Sequence, residues 1–195
     1  MQNENKRGFK VKDLIVTALL AVCTLLLYIL CAMLSFSPYT MLAVNPLWAL
    51  LAGITFFLTA AKTKQPWALF VFCAITGICT FYPPAIIGDL IAGAIAGLLA
   101  WKTGSTNPKT LTVSYIIYMV LAAFGGMYIP FLFFSQQTLA QYSTMFGEEY
   151  LGLLQTLVSP WMAIIMLSVV GIFALLGSLI ARKLLKKHFI KAGVV

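Results

Sequence analysis

Charge is scarce in this chain, and acid is scarcer than base: Asp and Glu number 5 in 195 residues, and charged side chains make up 9% of the whole. A soluble domain carries about 25%, so a water-exposed globular surface is excluded. The single histidine, His188, sits beside Lys186 and Lys187, where it reads as one more positive charge near a helix end. The 4 cysteines, Cys23, Cys31, Cys73 and Cys79, lie in apolar stretches without a CxxC or a neighbouring histidine. That pattern argues against a metal site or a disulfide framework, and the cysteines read as small packing residues. No glycine-rich phosphate loop with a lysine is present, so the chain is not expected to hydrolyse ATP itself. No metal and no cofactor is expected.

What is abundant is apolar: 62% of residues are hydrophobic, and the mean hydropathy is +0.98. The composition is that of an integral membrane protein. Its 13 basic residues form separate groups: Lys6 to Lys12, then Lys62 and Lys64, then Lys102 and Lys109, then Arg182 to Lys191. Basic residues flanking spans stay on the cytoplasmic side. The spacing therefore predicts six transmembrane helices in one compact all-α bundle, with the N- and C-termini cytoplasmic. The same flanking position accounts for the net charge of +8 as membrane orientation and contact with anionic lipid, so nucleic acid is not an expected partner.

The spans are expected at about 14–33, 41–59, 66–81, 86–101, 111–134 and 161–184 of a single domain, 1–195. The basic N-terminus before an apolar run resembles a signal peptide, but the run from Leu14 is too long and lacks a small-x-small cleavage site. It is kept as the first span, with Asp13 in position to cap it. Gly125, Gly126 and Pro130 should bend or unwind the outer end of the fifth span. The segment 135–159 is longer than a turn and carries Leu139, Tyr142, Met145, Phe146, Tyr150, Leu151, Leu153 and Leu154 in a helical pattern. It reads as an outer cap with one or two short amphipathic helices, in the position of a lid or gate.

Of the acids, Asp89, Glu148 and Glu149 fall in the outer half of this map, with no basic residue on that side. Asp89, just after Gly88 near the start of the fourth span, either caps that helix or faces an aqueous cavity. Asn45, Trp48, Tyr82, Tyr128, Gln155 and Trp161 share the outer side. Aromatics at such a level serve as interfacial anchors. As a set with an amide and a carboxylate, they also suit a pocket for a small organic ligand. Acid without base points to a neutral or cationic ligand. The candidate ligand contacts are therefore Asn45, Trp48, Tyr82, Asp89, Tyr128, Glu149, Gln155 and Trp161. Catalysis is not expected: Glu148 and Glu149 resemble the start of a membrane-protease motif, but no convergent His, Arg or Asn set accompanies them. Small residues at helical spacing, Thr17, Ala18 and Ala21 in the first span and Ala92, Gly93, Ala96 and Gly97 in the fourth, allow close helix approach.

The tail Lys186-Lys187-His188-Phe189-Ile190-Lys191-Ala192-Gly193-Val194-Val195 resembles the closing signature of the Trep_Strep family of bacterial membrane proteins. The start, Lys10 to Ile15 followed by Thr17-Ala18-Leu19, is similar to that family's opening. The family in turn resembles the substrate-binding S components of energy-coupling factor (ECF) transporters. The resemblance implies capture of a vitamin-like micronutrient in the outer half of the bundle. It also implies partnership with a transmembrane coupling subunit (T component) and two ATPases in the plasma membrane, and toppling of the bundle to deliver the ligand. S components meet the coupling subunit through a small face of the first span, often AxxxA; here Ala18 is followed by Val22, and Thr17 with Ala21 is the nearest small pair. The alternative is a self-contained secondary transporter or channel, with Asp89 as a proton or cation site.

Overall fold

The computed structural model describes residues 10–134 and 146–189, and every regular element among them is helical. Helix α1 is Val11–Ala32, α2 Pro38–Leu51, α3 Gly53–Thr63, α4 Pro66–Ile78, α5 Pro83–Thr103 and α6 Pro108–Ala123. A widened π-turn, Phe124–Tyr128, joins α6 to the short α7, Ile129–Phe133; α8, Glu148–Leu157, and α9, Pro160–Leu184, follow, and a second π-turn, Leu185–Phe189, continues α9. The expected basic residues Lys6 and Arg7, the apolar positions Leu139, Tyr142 and Met145, and the end of the tail signature from Ile190 lie outside the described residues.

Five helical stretches are long and apolar enough to cross a membrane: Val11–Ala32, Pro38–Thr63, Pro83–Thr103, Pro108–Phe133 and Pro160–Lys187. The chain is a multi-pass membrane protein. The third expected span, 66–81, corrects to α4, whose 13 residues at about 1.5 Å each cover about 20 Å of a core of roughly 30 Å. The residue before a proline disfavours helical backbone. With Pro83 and Pro84 following, α4 stops and reverses through Phe81, whose φ of 53° lies in the left-handed region. A large side chain there costs about 1–2 kcal/mol. The strained turn folds α4 back against α5, its main packing partner.

The second expected span is broken. Pro46 sits inside α2 without an N–H to donate, and the helix is interrupted at Ala52. Hydroxyls cluster at the break: Tyr115 Oη donates to the Ala49 carbonyl at 2.6 Å, and Thr55 Oγ1 donates at 2.8 Å to the Ala52 carbonyl, which also accepts from the Phe56 N–H at 3.2 Å. The fifth span keeps its helical course but widens at Phe124–Tyr128, where Gly125, Gly126 and nearby Pro130 weaken the regular ladder. Asp13 does not cap α1. Lys10 occupies the cap position and Asp13 lies in the first turn, its carbonyl accepting from Thr17 Oγ1 at 2.8 Å.

Two kinds of packing hold the bundle. Where the end of α2 and the start of α3 meet α9, backbones touch: a Cβ on Gly53 would lie 2.8 Å from the Gly177 carbonyl oxygen, and one on Gly177 would lie 2.7 Å from that of Leu50. Midway along the bundle, the fully buried rings of Phe56, Phe72, Tyr115 and Tyr118 meet. Phe56 lies 5.6 Å from Phe72, 5.3 Å from Tyr115 and 5.9 Å from Tyr118, centre to centre.

Candidate functional site

On one side of this ring cluster the helices diverge and leave a cavity of about 560 Å³. Its wall comes from the C-terminal end of α1 (Leu25, Tyr28, Ile29), the second half of α2 (Asn45, Trp48), the end of α4 (Thr76), the start of α5 (Ala85, Asp89) and the π-turn with Pro130. Each of these lies at the opposite end of its helix, or of its helical hairpin, from the lysines at 10, 12, 62, 64, 102 and 109. The cavity is therefore at the end of the bundle that has no cations among the described residues.

Asp89 is its polar centre. It lies in the second turn of α5, too deep to cap the helix; Tyr82 holds the cap position and makes no side-chain cap bond. Asp89 lines the cavity and does not cap α5. Opposite it on α4 is Gly77, where a Cβ would sit 2.7 Å from Asp89 Cβ. The missing side chain is what lets the two helices close around the carboxyl. Asp89 is 2% exposed; Oδ2 accepts from Thr76 Oγ1 at 3.2 Å, while Oδ1 is buried without a hydrogen-bond partner.

Thr76 is itself overcommitted. Tyr118 Oη donates to Thr76 Oγ1 at 3.0 Å. The one hydroxyl proton of Thr76 is then shared among Asp89 and the carbonyls of Cys73 at 2.9 Å and Phe72 at 3.2 Å. A buried carboxyl with less than one full donor is costly unless something else supplies donors.

The remaining wall is aromatic and weakly polar. Trp48 spends its indole N–H on the Thr24 carbonyl at 3.1 Å, so it offers the cavity its ring rather than a donor. That ring stands edge-on to Tyr28, 5.1 Å between centres at 69°. Asn45 is buried and donates only to the Met127 sulfur at 3.3 Å, a weak acceptor. Tyr82 is half-buried, and Phe81 beside it is exposed at the rim.

The family comparison bears on the whole chain: residues 11–191 match the family described as hypothetical bacterial integral membrane protein, Trep_Strep. The chain belongs to Trep_Strep. No curated protein and no solved structure matches it.

In this Trep_Strep chain, four of the eight expected contacts meet in the cavity: Asn45, Trp48, Tyr82 and Asp89. The other four do not line it. Tyr128 is wholly buried behind the wall, its hydroxyl without a hydrogen-bond partner, because the π-turn rotates it away from Gly126 and Met127, which do face inward. Glu149 and Gln155 lie on the exposed side of α8, whose buried side is Leu151 and Leu154. Trp161 is 77% exposed on the bundle surface. Tyr150 rather than Glu149 ties α8 to the bundle, its hydroxyl donating to the Ser35 carbonyl at 3.0 Å; partial burial raises its phenol above the ordinary value.

Thr17 and Ala21 are fully buried inside the chain and Ala18 is half-buried. The outward face of α1 carries Val11, Ile15, Leu19, Val22 and Leu26 instead. The small stripe of this Trep_Strep helix serves packing within the bundle, beside Thr24, which shares a 2.6 Å hydrogen bond with Thr55 on α3. Residue types alone did not single out Tyr28, Thr76 and Met127. Thr76 carried the one readable signal, a hydroxyl on an apolar helix next to Gly77.

Proposed function

We propose that this protein is the substrate-binding S component of an ECF-type importer in the bacterial plasma membrane. It captures a small vitamin-like molecule, neutral or cationic, for uptake driven by a coupling subunit and two ATPases. Both termini are cytoplasmic in this reading, α4 counts as a sixth, shorter crossing, and α8 belongs to an outer cap. The supporting observation is the cavity itself: an aromatic chamber with one underpaired carboxyl at the cation-free end, above a floor of packed rings. By the positive-inside tendency that end faces outward, where a capture protein meets its ligand. The protein carries out no chemistry of its own and relies on its partners for energy. Because Thr17 and Ala21 pack inside the chain, the coupling subunit meets a face other than those two side chains.

The self-contained transporter is the weaker reading. A proton or cation relay needs a second buried ionisable group toward the basic end, and among the described residues Asp89 is the only charged side chain that is buried. The deciding experiment is affinity purification from the native membrane in mild detergent, with mass spectrometry of the proteins and small molecules retained. Recovery of a transmembrane coupling subunit with two ATPases is expected. A lone chain that moves solute across vesicles without ATPases would replace this reading with the transporter.

A further inference from the structure

We propose that the cavity selects an organic cation, held by the Asp89 carboxyl and by the rings of Trp48 and Tyr28. This deepens the capture reading and rests on it. Three independent observations meet at the site. The carboxyl has one oxygen, Oδ1, that is buried without a partner although its residue lines the cavity. The other oxygen competes with two backbone carbonyls for a single Thr76 proton. Among the described residues no lysine, arginine or histidine lines the cavity, so they supply no counter-charge there. An ionised carboxylate held in such a place is stabilised when the ligand brings the positive charge, and further by any N–H the ligand donates to the carboxyl.

The walls fit the same ligand. Trp48 has given its N–H to Thr24, and its ring lines the cavity beside that of Tyr28, the two 5.1 Å apart at 69°. Aromatic rings attract cations, the more so once the bound ligand itself displaces water from the cavity. Asn45, held only by the Met127 sulfur, is left to orient a polar substituent. An anion would meet the carboxylate unscreened. A neutral ligand would have to leave Asp89 protonated or uncompensated.

The test is equilibrium binding to the detergent-purified full chain, read by Trp48 emission with Trp67, Trp101 and Trp161 replaced by Phe. The probes are benzylammonium and N-methylpyridinium, with benzyl alcohol as the neutral isostere and benzoate as the anion. Both cations are expected to bind, benzylammonium about tenfold to a hundredfold more tightly than benzyl alcohol, and benzoate not at all. Asp89→Asn should abolish the preference for benzylammonium over benzyl alcohol, and Asp89→Glu should retain part of it. If Asp89→Asn fails to fold, the series of isosteres on the unaltered carboxylate still decides the matter. Equal binding of benzylammonium and benzyl alcohol, a preference that survives Asp89→Asn, or no response to either cation would overturn the proposal. None of these outcomes touches the capture reading, which stands or falls on recovery of the coupling subunit and ATPases.

Discussion

The two halves of the bundle solve opposite problems with the same few residue types. Toward the basic end, small residues and rings are packed to contact: Ala60, Leu69, Ala96 and Ala100 are at most 1% exposed, and the α3–α9 crossing brings Gly53 against Gly177. Toward the cation-free end the chain interrupts its own regularity, with Pro46 inside α2, a left-handed Phe81 and a π-turn at Phe124–Tyr128. The first half is arranged for stability. The second gives up hydrogen bonds and packing to keep a chamber open around Asp89. In the proposed reading stability and binding are separated along the bundle axis, so removing a floor ring and removing the Asp89 charge should move stability in opposite directions.

The largest effect is expected in the floor. Phe56→Ala removes a ring that touches Phe72, Tyr115 and Tyr118, and should cost about 3–5 kcal/mol, read as a large fall in thermal unfolding midpoint in detergent. A loss below about 1 kcal/mol would mean that the ring cluster does not anchor the fold. The next tests the opposite sign. Asp89→Leu replaces an underpaired carboxyl with an apolar side chain and should stabilise the ligand-free protein by about 1–3 kcal/mol while abolishing capture of the native ligand. Destabilisation by Asp89→Leu would show that the carboxyl has a structural partner and would erase the contrast between the halves.

Gly77→Ala probes the helix contact that frames the cavity. The added Cβ has 2.7 Å to Asp89 Cβ, so α4 and α5 must part or the carboxyl must turn. Overpacking of this kind costs about 1–3 kcal/mol, and here ligand affinity should fall with it. Unchanged affinity would place the ligand away from Asp89. The smallest effect belongs to Tyr150→Phe, which deletes the hydrogen bond to the Ser35 carbonyl. It should cost about 1 kcal/mol or less, visible as faster local hydrogen exchange in α8 with the global midpoint unmoved.

Much of this could be read from the sequence because lipid imposes simple demands. Long apolar runs with basic flanks mark helices whatever their neighbours, and the cavity end followed from where the cations are missing. Asp89 stood out because a carboxylate in such surroundings is rare. What escaped depends on rotation about helix axes, which composition does not encode. Tyr128 and Met127 are adjacent in sequence, yet one faces the wall's interior and the other the cavity, and only the π-turn decides which. Thr17 and Ala21 show the same ambiguity: a small stripe says that something approaches closely, but not whether the neighbour is this chain or another.

The floor of rings also has an electrical meaning. A cavity open to water sits close to the potential of the solution it faces, so the membrane voltage falls mainly across the dry layer of Phe56, Phe72, Tyr115 and Tyr118. A full crossing is worth about 2.3 kcal/mol per elementary charge for each 100 mV. A charge resting at Asp89 stands before most of that drop and feels little of it, so occupancy of the site should be nearly indifferent to voltage. The same charge moved past the rings would feel almost all of it.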